Sequence, residues 1–192
     1  MTYYTSDLHL GHENILKQRT MFSTVEEMNT FLIEKWNKKI KKNDEVYIVG
    51  DFSYRSKTPV QEYLQMLNGS KHLIIGNHDA DWLKKISEEE KSRLLISTEH
   101  MKIIKTNKIK ITLCHYPMLE WSGSRYASAG NSFLIHGHIH DAKNDIYNYI
   151  KDNQPTALNC GTDINGFEPV TLEELIKNNQ EWYGRESTCI NQ

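Results

Sequence analysis

Three short apolar runs, Val46-Tyr47-Ile48-Val49, Leu73-Ile74-Ile75 and Phe133-Leu134-Ile135, each break off at a polar cluster that carries a glycine. The clusters are Gly50-Asp51, Gly76-Asn77-His78-Asp79 and His136-Gly137-His138-Ile139-His140. Unbroken apolar runs of this length suit strands covered on both faces, so the chain must bury its sheet between other layers. Strands that end this way present carboxylates, imidazoles and an amide at the rim of the sheet, where open α/β proteins place their chemistry.

Two further strands end alike. Thr2-Tyr3-Tyr4-Thr5-Ser6 leads into Asp7-Leu8-His9, and Ile109, Ile111 and Leu113 alternate with polar residues before Cys114-His115-Tyr116-Pro117. That alternation reads as a half-buried strand, paired in a hairpin with Ile103-Ile104 across the turn Thr106-Asn107. Residues at i and i+2 of an extended end point to one side, so Asp7 with His9, and His138 with His140, can each converge on one centre. A glycine ahead of a ligand lets the backbone come close. Carboxylates, imidazoles and an amide without thiolates are the donor set of Mn, Fe, Zn, Co or Ni.

Helices fill the intervals. Ser23 or Thr24 caps one, with Glu26 and Glu27 placed for a capping box. Val25, Met28, Leu32, Trp36 and Ile40 give it an apolar face. The run Lys38-Lys39-Ile40-Lys41-Lys42 closes it as a solvated end that complements the helix dipole. Thr58-Pro59 starts a second helix with a cap and a proline at its first position, and Gly69 ends it. Asp81 to Leu95 reads as helix, in one piece or two, with Ser87 and Glu90 as an internal capping box. The segment 122–131 is a loop, a strand lies near 156–160, and Thr171 with Glu174 caps a final helix. No repeat or linker divides the 192 residues, so one domain over 1–192 is expected.

Composition narrows the partners. A net charge of -2 gives no global attraction to nucleic acid or anionic membrane. No apolar run approaches the roughly 18 residues of a spanning helix, and the opening strand is not a signal peptide. Cys114, Cys160 and Cys189 are scattered, which argues against a disulfide framework and a thiolate zinc site and suits a cytoplasmic location.

The order of the clusters resembles the calcineurin-like metallophosphoesterase superfamily, with its signature DxH, GD, GNH(D/E), H and GHxH. Every signature residue is present in order across positions 7–140. The stretches Ser6-Asp7-Leu8-His9-Leu10-Gly11-His12 and Cys114-His115-Tyr116-Pro117 are similar to its small bacterial and phage members. The resemblance implies a four-layer α-β-β-α sandwich of α/β class. It implies two divalent transition-metal ions, manganese first and Fe, Zn, Co or Ni as alternatives. Asp7, His9, Asp51 and His140 would hold one ion; Asp51, Asn77, His115 and His138 would hold the other. Asp51 would bridge them, roughly 3.5–4 Å apart. Such a pair lowers the pKa of a bridging water and makes hydroxide available to attack phosphorus. His78, outside the ligand list, is then the candidate general acid, with Asp79 orienting it.

Each cluster also has a plain structural reading. DxH and GD occur as turn or capping chemistry, and Asp79 or Asp81 could cap a helix. His12 could touch substrate phosphate or pack in its loop. Arg55 lies where related protein phosphatases carry a phosphate-binding arginine in GDxxDRG. Here Gly50-Asp51-Phe52-Ser53-Tyr54-Arg55-Ser56 lacks that motif's second Asp and final Gly, which argues against a phosphoprotein substrate. Trp121, Arg125 and Tyr126 could wall a substrate pocket or cover the core. His72, His100 and His136 read as structural. The expectation is a phosphoester hydrolase, in first place a phosphodiesterase acting on a small or nucleotide-type substrate. A phosphomonoesterase, or a non-catalytic interaction module on the same scaffold, is the alternative.

Overall fold

The structure, a computed structural model, describes residues 1–106, 108–125 and 130–184. Two four-stranded sheets form its centre. In the first, β1 (Thr2–Thr5), β2 (Glu45–Val49), β3 (Ser70–Ile74) and β4 (Ser97–Glu99) lie side by side in chain order, all parallel. In the second, β5 (Met101–Thr106), β6 (Ile109–Cys114), β7 (Ser132–His136) and β8 (Ala157–Asn159) follow in order, and only β5 runs antiparallel.

Parallel neighbours need crossovers, and helices supply most of them. These are α1 (Val25–Lys39), α2 (Val60–Met66), the short pair α3 (Ala80–Leu83) and α4 (Glu88–Leu94), and α5 (Asp145–Asn153). The last helix, α6 (Leu172–Tyr183), follows β8. Strand alternation sorts the core into layers. Tyr3, Val46, Ile48 and Leu73 face outward onto Met28, Leu32, Trp36, Tyr63 and Leu64 of α1 and α2. Tyr4, Tyr47, Val49 and Ile74 face inward onto Ile111, Leu113, Phe133, Ile135 and Leu158 of the other sheet. Leu134 and Ala157 turn to the far side, under Tyr147, Ile150 and Tyr183. The result is the α-β-β-α sandwich, a mixed α/β architecture. No helix among the described residues is long and apolar enough to cross a membrane.

Several local expectations meet their structural counterparts. Thr24 caps α1 by accepting from Glu27 N, while Glu27 reaches back to Ser23 N. Thr171 with Glu174, and Ser87 with Glu90, form reciprocal capping boxes. The segment from Asp81 resolves into two helices.

Others differ. Pro59 sits at the N-cap of α2 with ψ 135°, extended rather than helical, so the helix starts one residue later than expected. Thr112, on the polar side of the β6 alternation, is 1% exposed, because the outer face of that sheet is covered too. β4 and α5 were not anticipated: β4 is three polar residues, and α5 buries only Tyr147 and Ile150. The expected turn residue Asn107 lies outside the described residues.

Trp36 is 1% exposed and donates its indole N–H to Asn68 O at 3.0 Å, tying α1 to the end of α2. Trp36→Ala should lower the unfolding free energy by about 3–5 kcal/mol, whereas Thr171→Ala should cost only about 1 kcal/mol. Urea titration of both variants checks the order; the reverse ranking would contradict this core.

Candidate metal centre

The parallel strands of both sheets deliver their C-terminal ends to one rim. The two edges meet there: Ser6 N donates to Cys160 O and Thr162 N to Ser6 O, each at 3.0 Å, which joins the end of β1 to the chain leaving β8. Asp7 is thereby brought against the turn after β7, where His138 N donates to both its oxygens at 3.2 and 3.1 Å. Two glycines make the other close approach. Gly50 has φ +89°, and a Cβ there would lie 2.2 Å from His115 Nδ1; a Cβ on Gly76 would lie 2.3 Å from Asp51 Oδ1. No side chain fits at either place.

The ligand loops also hold non-glycine residues in left-handed backbone. Asp7, His9, Asp51, His138 and His140 all have φ between +49° and +72°. That conformation costs an L-residue about 1–2 kcal/mol. Its recurrence at these positions marks a geometry imposed by the surroundings.

All seven expected ligands meet in one network. Asp51 Oδ2 lies 3.4 Å from His115 Nε2 and 3.7 Å from His9 Nε2. His9 Nε2 lies 3.2 Å from His140 Nε2, which is 3.8 Å from Asp7 Oδ1. Asn77 Oδ1 sits between His115 Nε2 at 2.9 Å and His138 Nδ1 at 3.0 Å. Two overlapping groups could each hold a metal ion, their ligand atoms within 4.8 Å of one another: Asp7, His9 and His140, and Asp7, Asp51 and His115. Asp7 thus reaches both groups, where the sequence placed it in one.

The donor chemistry fits a cation. His115 Nδ1 is engaged by Val49 O at 2.9 Å and His140 Nδ1 by Asp163 Oδ2 at 3.0 Å. These bonds fix the tautomers that turn each neutral Nε2 lone pair toward the cluster. Burial, with His140 adding to it, pushes the His9 imidazole down to about 2, so it stays a neutral ligand. Burial opposes the charge on His115, yet its bond to Asp51 and the Asp7 and Asp51 charges raise it to about 9. Burial likewise opposes the Asp51 charge, and His115 outweighs it, holding the carboxyl down to about 2. A bound cation would take the place of that His115 proton.

Two supporting residues escaped the sequence reading. Asp163, besides holding His140, takes a two-point contact from Arg19, at 2.7 Å to Nε and 3.1 Å to Nη2. Arg19, 3% exposed, also donates to Leu8 O at 2.9 Å and Asp7 O at 2.5 Å, clamping the first ligand loop. Neither belongs to a motif; only the buried charge reveals them.

Asp79 requires a correction. It was expected to orient His78. Instead, its two oxygens accept from Asp51 N, Phe52 N, Gly76 N and the Trp82 indole N–H at 2.8–2.9 Å, and none of these bonds reaches His78. Its carboxylate positions the two loops that carry Asp51 and Asn77. His78 is fixed differently: its N–H donates to Asp51 Oδ1 at 2.9 Å and its ring packs on Tyr54, centroids 4.0 Å apart. Its Nε2 lies 4.0 Å from Asp51 Oδ2.

The substrate candidates divide. His12 joins the cluster: its ring lies 5.4 Å from His9 and 4.9 Å from Tyr54, and burial pushes its imidazole down. Arg55 lines a cavity of about 350 Å³ that His78 borders. Arg125 is not brought in. Trp121 donates to Ser132 Oγ at 3.2 Å, and Ser132 Oγ to Ser122 O at 3.2 Å, so this loop runs to the start of β7, the end opposite His136. Trp121 is core, and Tyr126 lies outside the described residues.

The sequence model described as the calcineurin-like phosphoesterase superfamily domain matches residues 3–165. An uncharacterized protein of Methanocaldococcus jannaschii is 33% identical over 178 residues, 91% of this chain and 89% of its own. The gene 66 protein of Mycobacterium phage L5 is 38% identical over 81 residues, 41% of this chain and 39% of its own. Among solved structures, a protein of unknown function from Aquifex aeolicus superposes with a TM-score of 0.69 at 28% identity, covering 92% of this chain and 98% of that one. A match across nearly the whole chain, on a sandwich whose strand ends carry the ligand set, leads to one conclusion: the chain belongs to the calcineurin-like phosphoesterase superfamily.

Proposed function

We propose that this chain is a dinuclear-metal phosphoesterase that hydrolyses a small phosphodiester. The observation that carries the reading is the position of Asp51, whose Oδ2 faces the Nε2 atoms of His9 and His115 at 3.7 and 3.4 Å. One carboxylate between two imidazole groups is the arrangement of a bridging ligand. Asp7, His9, Asp51 and His140 would hold one ion and Asp51, Asn77, His115 and His138 the other, with manganese the first choice. Two such ions would polarise the phosphoryl oxygens and acidify a water molecule.

The chain's own residues supply the rest. His78 is half-exposed, beside the bridging carboxylate and at the edge of the cavity, so it can hand a proton to the leaving oxygen. His12, its ring 6.2 Å from that of His78, can donate a hydrogen bond to a phosphoryl oxygen. The cavity suits a small substrate in volume. Cys114 and Cys160 are unpaired, in keeping with a cytoplasmic enzyme.

His78→Ala should lower turnover by about 10²-fold or more while both ions remain bound, read by steady-state kinetics beside elemental analysis; unchanged turnover would remove His78 from the mechanism. Asp163→Asn should weaken metal affinity by about 10–100-fold, the range for a residue that orients a ligand. A competition titration against a chromogenic chelator measures this, and wild-type affinity would show that His140 needs no such partner. Supplying a diester and its matching monoester to one preparation tests the diester preference, which equal or better monoester turnover would overturn.

A further inference from the structure

The cavity beside His78 is asymmetric. Apolar Pro59, Val60, Trp82 and Ile86 line it, together with Arg55, Lys57 and Lys85 against a single acid, Asp81. Lys57 is engaged by Glu13 at 2.6 Å. Arg55 and Lys85 are different: among the described residues, no carboxylate forms an ion pair with either. Arg55 is held in place all the same. Its guanidinium lies over the Tyr54 ring, 5.0 Å from the centroid, and that ring packs on His78. Its backbone is left-handed, with φ 48°, a conformation unusual for a long side chain. Outside the ligand positions, Phe167 is the other described non-glycine residue that shares it.

We infer that this cavity is a second anion subsite, which receives a phosphate carried on the alcohol that leaves. The inference rests on the phosphoesterase reading, because His78 places the leaving oxygen on its own side of the centre. Water would add to phosphorus and give up a proton to solvent, the bond from phosphorus to the leaving oxygen would break, and that oxygen would take the His78 proton, which His78 regains from solvent. The carbon skeleton of the alcohol then lies against the apolar lining residues, and its distal phosphate meets Arg55 and Lys85. A guanidinium matches phosphate in both charge and fork geometry. The Tyr54 ring, packed by His78 and Arg55, positions the arginine and does not serve as a stacking platform for a nucleobase. At about 350 Å³ the cavity suits a short phosphorylated alcohol or sugar.

Two measurements on the full-length chain test this. The first compares kcat/KM for methyl propyl phosphate, following release of 1-propanol, with that for its analogue bearing a terminal phosphate on the propyl group, following release of 3-hydroxypropyl phosphate. Wild type should favour the charged ester by about tenfold or more, and Arg55→Asn and Lys85→Gln should each reduce that ratio by about tenfold. Asparagine tolerates left-handed backbone, so that variant removes the charge without new strain. The second measurement is calorimetric binding of 3-hydroxypropyl phosphate to metal-stripped chain, with the same two variants weaker by about tenfold. No binding to wild type, or equal binding by all three proteins, overturns the subsite. Binding lost in the variants, with neither ester hydrolysed under any added metal, overturns the catalytic reading and supports the subsite.

Discussion

The structure depends on one buried carboxylate being held still. Asp51 follows the end of β2 by two residues, and its polar groups are all engaged. Its N–H donates to Asp79, its Oδ1 accepts from His78 N, and its Oδ2 faces the imidazoles of His9, His115 and His78. Placing a carboxylate at 2% exposure is costly unless its oxygens find positive charge or donors. In this chain those partners come from β1, β3 and β6. Folding the two sheets together and assembling the ligand cluster are therefore one event.

The loops around that carboxylate are strained, and two buried charges hold them. Asp79 binds the backbone of the Asp51 and Gly76 turns, while Arg19 binds the carbonyls of Asp7 and Leu8. A charge-assisted hydrogen bond contributes about 1.5–3 kcal/mol net. A left-handed Asp or His costs an amount of the same order, so a few such bonds can keep the loops in place. Arg19 also pairs with Asp163, which fixes His140. One guanidinium thus links the first candidate ligand loop to His140, 133 positions after Asp7.

Much of this was legible in the sequence because strand ends obey local rules. An apolar run that stops at a glycine and a carboxylate specifies a buried strand, a tight exit and a rim position at once. Asp7, His9, Asp51, Asn77, His115, His138 and His140 all came into one network from such ends. Local rules also supplied the caps at Thr24, Ser87 and Thr171. They failed where a contact is set by tertiary geometry. Asp79 follows His78 directly, and adjacency suggested that it orients the imidazole; the turn instead aims its carboxylate at the backbone of a neighbouring loop. Arg19 and Asp163 sit in irregular segments where neither periodicity nor spacing gives a direction. Arg125 failed for the converse reason: its loop starts from β6 near a ligand but returns to the opposite end of the sheet.

The division of labour between elements explains why Arg55 can stand outside the phosphatase pattern it otherwise resembles. The ligands occupy strand ends locked by Asp79 and Arg19 from below. The cavity is built largely from other material: the segment from Ser53 to Gln61 at the start of α2, with Asp81, Trp82, Lys85 and Ile86 in and just after α3. That segment touches the ligand loops at few places, such as the bond from Ser53 Oγ to Leu10 O and the packing of Tyr54 on His78. Tyr54 and Ser56 stand where GDxxDRG has its second Asp and final Gly, and the Tyr54 ring contacts both His78 and Arg55. His78, the proposed proton donor, and the Arg55 guanidinium both lean on that ring, so the proposed positions of the leaving oxygen and of its distal phosphate are coupled through Tyr54.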